Sequence, residues 1–153
     1  MSSDLNRLYQ DMILDHNKNP RNFGKLEKFT HYARGKNPLC GDDYEIFVNV
    51  EDEIIKEVSF EGIGCAISKS SASLLTAAVK GKNISDAVLM KDYFIDLLTS
   101  DAPDCDSDKC RTYLGKLKIF EGVKQYPVRV KCATLIWRAF ESALSGNLED
   151  TTN

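Results

Sequence analysis

The chain has 153 residues, 42% of them apolar and 28% charged, which fits a single domain large enough to close one hydrophobic core. Twenty basic against 23 acidic side chains give a formal charge of −3, with acid gathered in Asp101 to Asp108 and in the tail. That balance argues against nucleic acid or an anionic membrane as the main partner.

Leu5, Leu8, Tyr9, Met12 and Ile13 recur at helical spacing behind Ser3 and Asp4, which predicts an amphipathic helix over 4–17 that Asn19-Pro20 stops. Residues 21–38 show no clean period and read as an irregular arm with a short strand. Asn37-Pro38-Leu39-Cys40-Gly41-Asp42-Asp43 then forms a tight turn. Pro38 fixes φ and Gly41 permits a positive one, so Cys40 and Asp42 can converge on one point. Tyr44, Ile46, Val48 and Val50 alternate with Glu45, Phe47 and Asn49, and Ile55 to Phe60 repeats the β pattern across Glu51-Asp52-Glu53. The expectation is a hairpin with strands near 43–50 and 54–61.

Gly62-Ile63-Gly64 is expected to break the second strand, and Cys65 to lead into a helix over 66–80 that Gly81 ends. Ser85 is placed as the cap of a helix over 86–99. Residues 100–109, polar and acidic around Pro103, read as a loop. Leu114, Leu117, Ile119 and Phe120 suggest a short helix before Gly122. Pro127 opens the last helix, which runs through Trp137 and Phe140 to Leu144 and stops at Gly146. The order defines an α+β fold with a small antiparallel sheet of about three strands and helices on one face, one domain over 1–146 followed by a flexible tail over 147–153.

No basic and apolar leader occupies Met1 to Leu5, and no run of about 18 apolar residues occurs anywhere, so a cytoplasmic protein is expected. Five cysteines in a reducing compartment speak for metal or sulfur chemistry over disulfides.

Any one of them, taken alone, is most simply a small core residue. Cys40 fits that description worst, because it lies in a Pro/Gly turn beside two aspartates. Cys65 sits at a strand-to-helix junction, where free N–H groups and the macrodipole favour a thiolate. Cys132 falls in the first turns of the last helix, next to Arg129 and Lys131, whose charges would favour a thiolate there. Three thiols with a carboxylate make a plausible tetrahedral metal set, although the long gaps contain no paired CxxC. Asp42 is preferred to Asp43 as the oxygen donor because a flexible glycine separates it from Cys40.

Cys105 and Cys110 stand in an acidic stretch that reads as a surface insertion, and reversible pairing between them is a second reading. His16 and His31 read as surface residues. The Ser70, Ser71 and Ser73 run has no histidine placed to serve as its base and reads as a helix face. Gly62-x-Gly64 is too short for a nucleotide-binding fingerprint.

Three segments in order resemble the IscU/NifU N-terminal family of iron-sulfur assembly proteins. They are Leu39-Cys40-Gly41-Asp42, Gly62-Ile63-Gly64-Cys65-Ala66-Ile67-Ser68 with Ser70-Ser71-Ala72, and Arg129-Val130-Lys131-Cys132-Ala133-Thr134-Leu135. The resemblance implies that Cys40, Asp42, Cys65 and Cys132 meet at one exposed end, bind metal, and receive sulfur from a cysteine desulfurase. Scaffold-type members carry a histidine where this chain has Lys131. Their Leu-Pro-Pro-Val-Lys segment is replaced by Gln125-Tyr126-Pro127-Val128-Arg129, and extra residues stand around Thr99 to Lys118.

These departures look like the SufU branch. That likeness implies Zn²⁺ as cofactor, a SufS-type desulfurase as partner, downstream cluster-assembly proteins as further partners, and Cys40 as the residue that takes up persulfide sulfur. Three thiolates and one carboxylate on Zn²⁺ sum to +2 − 4 = −2, for which Arg129 and Lys131 are the supporting cations. The alternatives are a scaffold on which an iron-sulfur cluster is transiently built, and a structural zinc module that docks to a partner.

Overall fold

The computed structural model describes residues 3–100, 112–146 and 149–151. In chain order these form α1 (Ser3–Lys18), β1 (His31–Asn37), β2 (Asp42–Glu51), β3 (Ile54–Ile63), α2 (Ala66–Val79), α3 (Ile84–Thr99), a 3₁₀ helix (Gly115–Val123), α4 (Pro127–Ser145) and β4 (Glu149–Thr151). The sheet order is β3-β2-β1-β4. β1, β2 and β3 are antiparallel neighbours, and β4 adds a short parallel edge beside β1. The irregular arm thus contributes an inner strand, and the tail contributes three residues of backbone pairing that no apolar alternation announces.

Alternation in β2 sorts its side chains between two faces. Tyr44, Ile46 and Val48 point into the core with Val58 and Phe60 of β3, where α2 and α4 cover them. On the other face Phe47 packs edge-on against Phe29 and tilted against Tyr32, so this face carries its own aromatic cluster. Asp52 and Glu53 close the β2–β3 hairpin with φ of 52° and 66°, the left-handed pair that matches strand twist in a two-residue turn. Deeper in the core Trp137 of α4 stacks on Phe94 of α3 with centroids 4.5 Å apart.

Three local readings need correction. β3 continues through Gly62 and Ile63 instead of breaking there. The cap of α3 is Asn83, whose Oδ1 accepts from the Asp86 N–H at 2.8 Å; Ser85 only donates its hydroxyl to that oxygen. The short element at Gly115–Val123 is 3₁₀ and runs past Gly122.

His16 departs most from expectation. It is 7% exposed, and its Nδ1 lies 2.7 Å from Ser73 Oγ, which also accepts the Arg21 N–H at 2.8 Å. The serine run has a histidine after all, but Ser73 is fully buried, so the pair clasps α1 to α2 and has no access to a substrate. Burial, followed by the nearby Arg21 charge, lowers the His16 pKa, while Asp15 opposes and Lys116 adds to the lowering. A depressed folded-state value favours the neutral ring. The clasp is therefore complete above the unfolded value of about 6.5 and weakens as pH falls through and below it. His16→Gln keeps a hydrogen-bonding side chain without the charge. Between about pH 7.5 and 5.5 its melting temperature is expected to fall less than the wild type's, and an identical fall would rule out this titration.

Candidate metal centre

The β1–β2 hairpin is closed by the Asn37↔Asp42 pair, which leaves Pro38 to Gly41 as its loop. Asn37 is fully buried and organises that loop: its Oδ1 accepts from the Leu39 N–H at 3.3 Å and its carbonyl from the Cys40 N–H at 3.2 Å. Gly41 has φ of 73°, a conformation that suits glycine. Cys40 is half-buried on this turn, and Asp42 follows as the first residue of β2.

Strand parity separates the two aspartates. Asp42 faces inward and is 2% exposed. Asp43 faces the outer side, where Arg34 grips both of its oxygens at 2.8 and 2.6 Å and so lowers its pKa. Asp43 is thereby committed elsewhere.

Cys65 is itself the N-cap of α2, its sulfur accepting from the Ser68 N–H at 3.4 Å. Its backbone N–H donates to Asp42 Oδ1 at 3.0 Å, which ties the helix start to the hairpin. Cys132, in the second turn of α4, is 3% exposed and lies 3.4 Å from Cys40, sulfur to sulfur. Asn37 Nδ2 is 4.0 Å from the Cys132 sulfur. Cys40, Asp42 and Cys132 each place a ligand atom within 4.8 Å of the other two. Cys65 stands outside that tight trio, joined to it through Cys132 and the Asp42 carboxylate.

Hydrogen bonding from Cys132 leads a lowering of the Cys65 pKa to about 6, with Ser68 adding to it against the cost of burial. Cys132 is pushed the other way, first by that same contact with Cys65 and then by burial. Cys65 is thus the thiol that ionises early and Cys132 the one that holds its proton. Of the two supporting cations, Arg129 stacks its guanidinium 4.5 Å from the Tyr126 ring centre, and Lys131 lines a groove of about 470 Å³ with Lys124 and Arg138. Cys132 and Ser68 lead the stabilisation of the Cys65 thiolate. Cys105 and Cys110 lie outside the described residues.

A metal fits this donor set. Asp42 Oδ2 is buried and has no hydrogen-bond partner among the described residues, which an ion bound between the carboxylate and the thiols would remedy. The trio offers two sulfurs and one oxygen, and Cys65 beside it would supply the third sulfur of a set that suits a tetrahedral ion such as zinc. Asn37 and Ser68 are the contributors that sequence reasoning gave no role. The Asn-Pro turn hints at the first, and the spacing of three from a helix-starting cysteine hints at the second.

Fold and site together define a class: a small α+β domain that gathers cysteines from a hairpin turn, a helix N-cap and a C-terminal helix around one buried carboxylate. The chain belongs to the NifU-like N-terminal domain family, whose model matches residues 8–133. It is 38% identical over 144 residues to the zinc-dependent sulfurtransferase SufU of Bacillus subtilis strain 168, covering 94% of each chain. It is 33% identical over 153 residues to the iron-sulfur cluster assembly scaffold protein IscU of Streptococcus pyogenes serotype M1, covering 99% of this chain and 92% of that one. Among solved structures, an iron-sulfur cluster assembly scaffold protein for the SUF system from Fervidobacterium islandicum AW-1 superposes with a TM-score of 0.81 at 33% identity, over 90% of this chain and 97% of that one. Among the described residues no helix is long and apolar enough to cross a membrane.

Proposed function

We propose that this protein serves iron-sulfur cluster assembly as a zinc-dependent sulfurtransferase that accepts persulfide sulfur from a SufS-type cysteine desulfurase. One observation carries the reading: a half-exposed thiol, Cys40, stands on a turn 3.4 Å from Cys132 and beside a buried carboxylate oxygen that lacks a partner. The relative from Bacillus, named for this activity and similar over nearly the whole chain, supports it.

Cys40, Asp42, Cys65 and Cys132 would hold the zinc, which when bound keeps the thiols deprotonated near neutral pH and fixes their places. Cys40 is the acceptor because its turn brings it to the surface while Cys132 is sealed in α4 and Cys65 is engaged as a helix cap. Its thiolate attacks the outer sulfur of the desulfurase persulfide. A new sulfur-sulfur bond forms on Cys40, the bond within the donor breaks, and the donor cysteine leaves as thiolate, with no net oxidation. Exposed Leu39, Ile63, Tyr126 and Val128 stand on or next to the three elements that supply the cysteines, and they offer a partner an apolar rim around the exchanging sulfur.

The scaffold reading is the runner-up, favoured by the names of the Streptococcus and Fervidobacterium relatives. Lys131 weighs against it, because scaffold-type members carry histidine there. Protein isolated without oxygen is expected to be colourless with about one zinc per chain, and to raise the alanine output of a SufS-type desulfurase. Brown protein containing sulfide would replace this reading with the scaffold. Zinc without any effect on the desulfurase would leave a structural docking module.

A further inference from the structure

Asp42 offers two oxygens, and the structure treats them differently. Oδ1 accepts from the Cys65 N–H at 3.0 Å and from the Ser68 hydroxyl at 3.1 Å. Oδ2 accepts from nothing among the described residues and is shut away from solvent. A carboxylate pinned by two donors on one oxygen turns its other oxygen to any cation.

Ser68 sits at the crossing of this network. It is 1% exposed, and its Oγ lies 3.1 Å from Tyr44 Oη, 3.0 Å from the Cys65 carbonyl and 3.5 Å from the Cys65 sulfur. A serine hydroxyl has one proton to give. Among its neighbours the Asp42 carboxylate is a stronger acceptor than the Cys65 carbonyl and lies nearer than the Cys65 sulfur, and Tyr44 can donate into Ser68 from behind, so the proton chain runs from Tyr44 to Ser68 to Asp42. Asp42 can swing only by breaking that chain.

We propose that Ser68, backed by Tyr44, is a positioning residue that presents Asp42 to the metal through Oδ2 alone and so sets how tightly the oxygen ligand grips. This rests on the zinc site proposed above. It touches the carboxylate and not the ion, and it explains why a seryl hydroxyl is buried one helical turn after a metal-binding cysteine.

The test is zinc affinity, measured by competition with a chromophoric chelator, on the wild type, Ser68→Ala, Tyr44→Phe and both changes in an Asp42→Ala background. Ser68→Ala is expected to weaken zinc binding about 10- to 100-fold, as loss of a ligand's supporting hydrogen bond does, and Tyr44→Phe by less. In the Asp42→Ala background each change is expected to add less than about twofold, because a residue acting through Asp42 has nothing left to position. An unchanged affinity for Ser68→Ala, or an equal loss with and without Asp42, would overturn the assignment. Thermal unfolding of the metal-free forms identifies any variant that does not fold. If Ser68→Ala is such a variant, Tyr44→Phe carries the comparison, and equal losses in both backgrounds count against the proposal. A wild type that takes up no zinc overturns the proposed function together with this inference, whereas one that binds zinc indifferently to Ser68 overturns this inference alone.

Discussion

Replacing Cys40 by alanine is expected to reduce stimulation of the desulfurase to the level of the desulfurase alone, with the domain still folded. Cys40 sits in a four-residue loop whose shape is held by Asn37 and Gly41, so trimming its sulfur opens no core cavity. The melting temperature of metal-free protein should therefore move little, since surface changes away from special features usually stay within about 0.5 kcal/mol. Cys132→Ala provides the contrast. Cys132 is 3% exposed, so loss of its sulfur removes packing as well as a proposed metal donor and should lower the melting temperature too. Because Cys40 is both acceptor and proposed ligand, zinc content is measured alongside alanine release. A Cys40→Ala protein that keeps some zinc yet stimulates nothing isolates the nucleophile, and one that stimulates fully would remove Cys40 from the mechanism.

How much of this the residues announced depends on what each position had to satisfy. Asp42 and Asp43 differ by one step along a strand, so the alternation that puts Tyr44 and Ile46 in the core also carries Asp42 inward and Asp43 out to Arg34. Cys65 was legible as a helix start because the glycines before it leave a helix nothing to propagate through. β1 was nearly invisible for a packing reason. Its inward positions are Ala33, Gly35 and Asn37, small or polar because α4 lies close; a Cβ on Gly35 would come within 3.1 Å of Ala139 Cβ. Without bulky apolar residues no period appears.

His16 hid for the opposite reason. It stands among charged neighbours in the chain, while its partner Ser73 is 57 residues away, and such a pairing is set by how α1 crosses α2. Ser70, Ser71 and Ser73 looked like a polar face but are all fully buried. Ser71 donates to the Ala133 carbonyl at 2.6 Å and accepts from the Trp137 indole at 3.0 Å. Ser73 is likewise satisfied across an interface, by His16 and the Arg21 N–H, whereas Ser70 donates to the Ala66 carbonyl of its own helix at 2.7 Å; such small, satisfied hydroxyls let the helices approach, and hydropathy alone scores them as exposed.

Gly64→Ala is expected to damage both the fold and the metal site, although it adds one methyl group. A Cβ there would stand 2.5 Å from Ser68 Oγ, 2.6 Å from Asp42 Oδ1 and 2.6 Å from Tyr44 Oη, all three members of the chain that orients the carboxylate. None is the loose end of a flexible side chain. Tyr44 is wedged in the core, Ser68 is fixed to the first turn of α2, and Asp42 is tied to the Cys65 N–H. The methyl group has to push at least one hydrogen bond apart, an overpacking cost of about 1–3 kcal/mol, and it rotates the oxygen that the metal would use. Zinc affinity is expected to drop by about 10- to 100-fold, and the metal-free protein to melt several degrees lower, about 4–8 °C for each kcal/mol at the small end of domain size and less for this longer chain. Gly122→Ala is the control, since a Cβ at Gly122 meets nothing within 4 Å among the described residues and the change should leave stability and zinc binding alone. Wild-type zinc affinity in Gly64→Ala, with Gly122→Ala equally silent, would show that the carboxylate has room to move and that the crowding around Asp42 does not govern how it meets a metal.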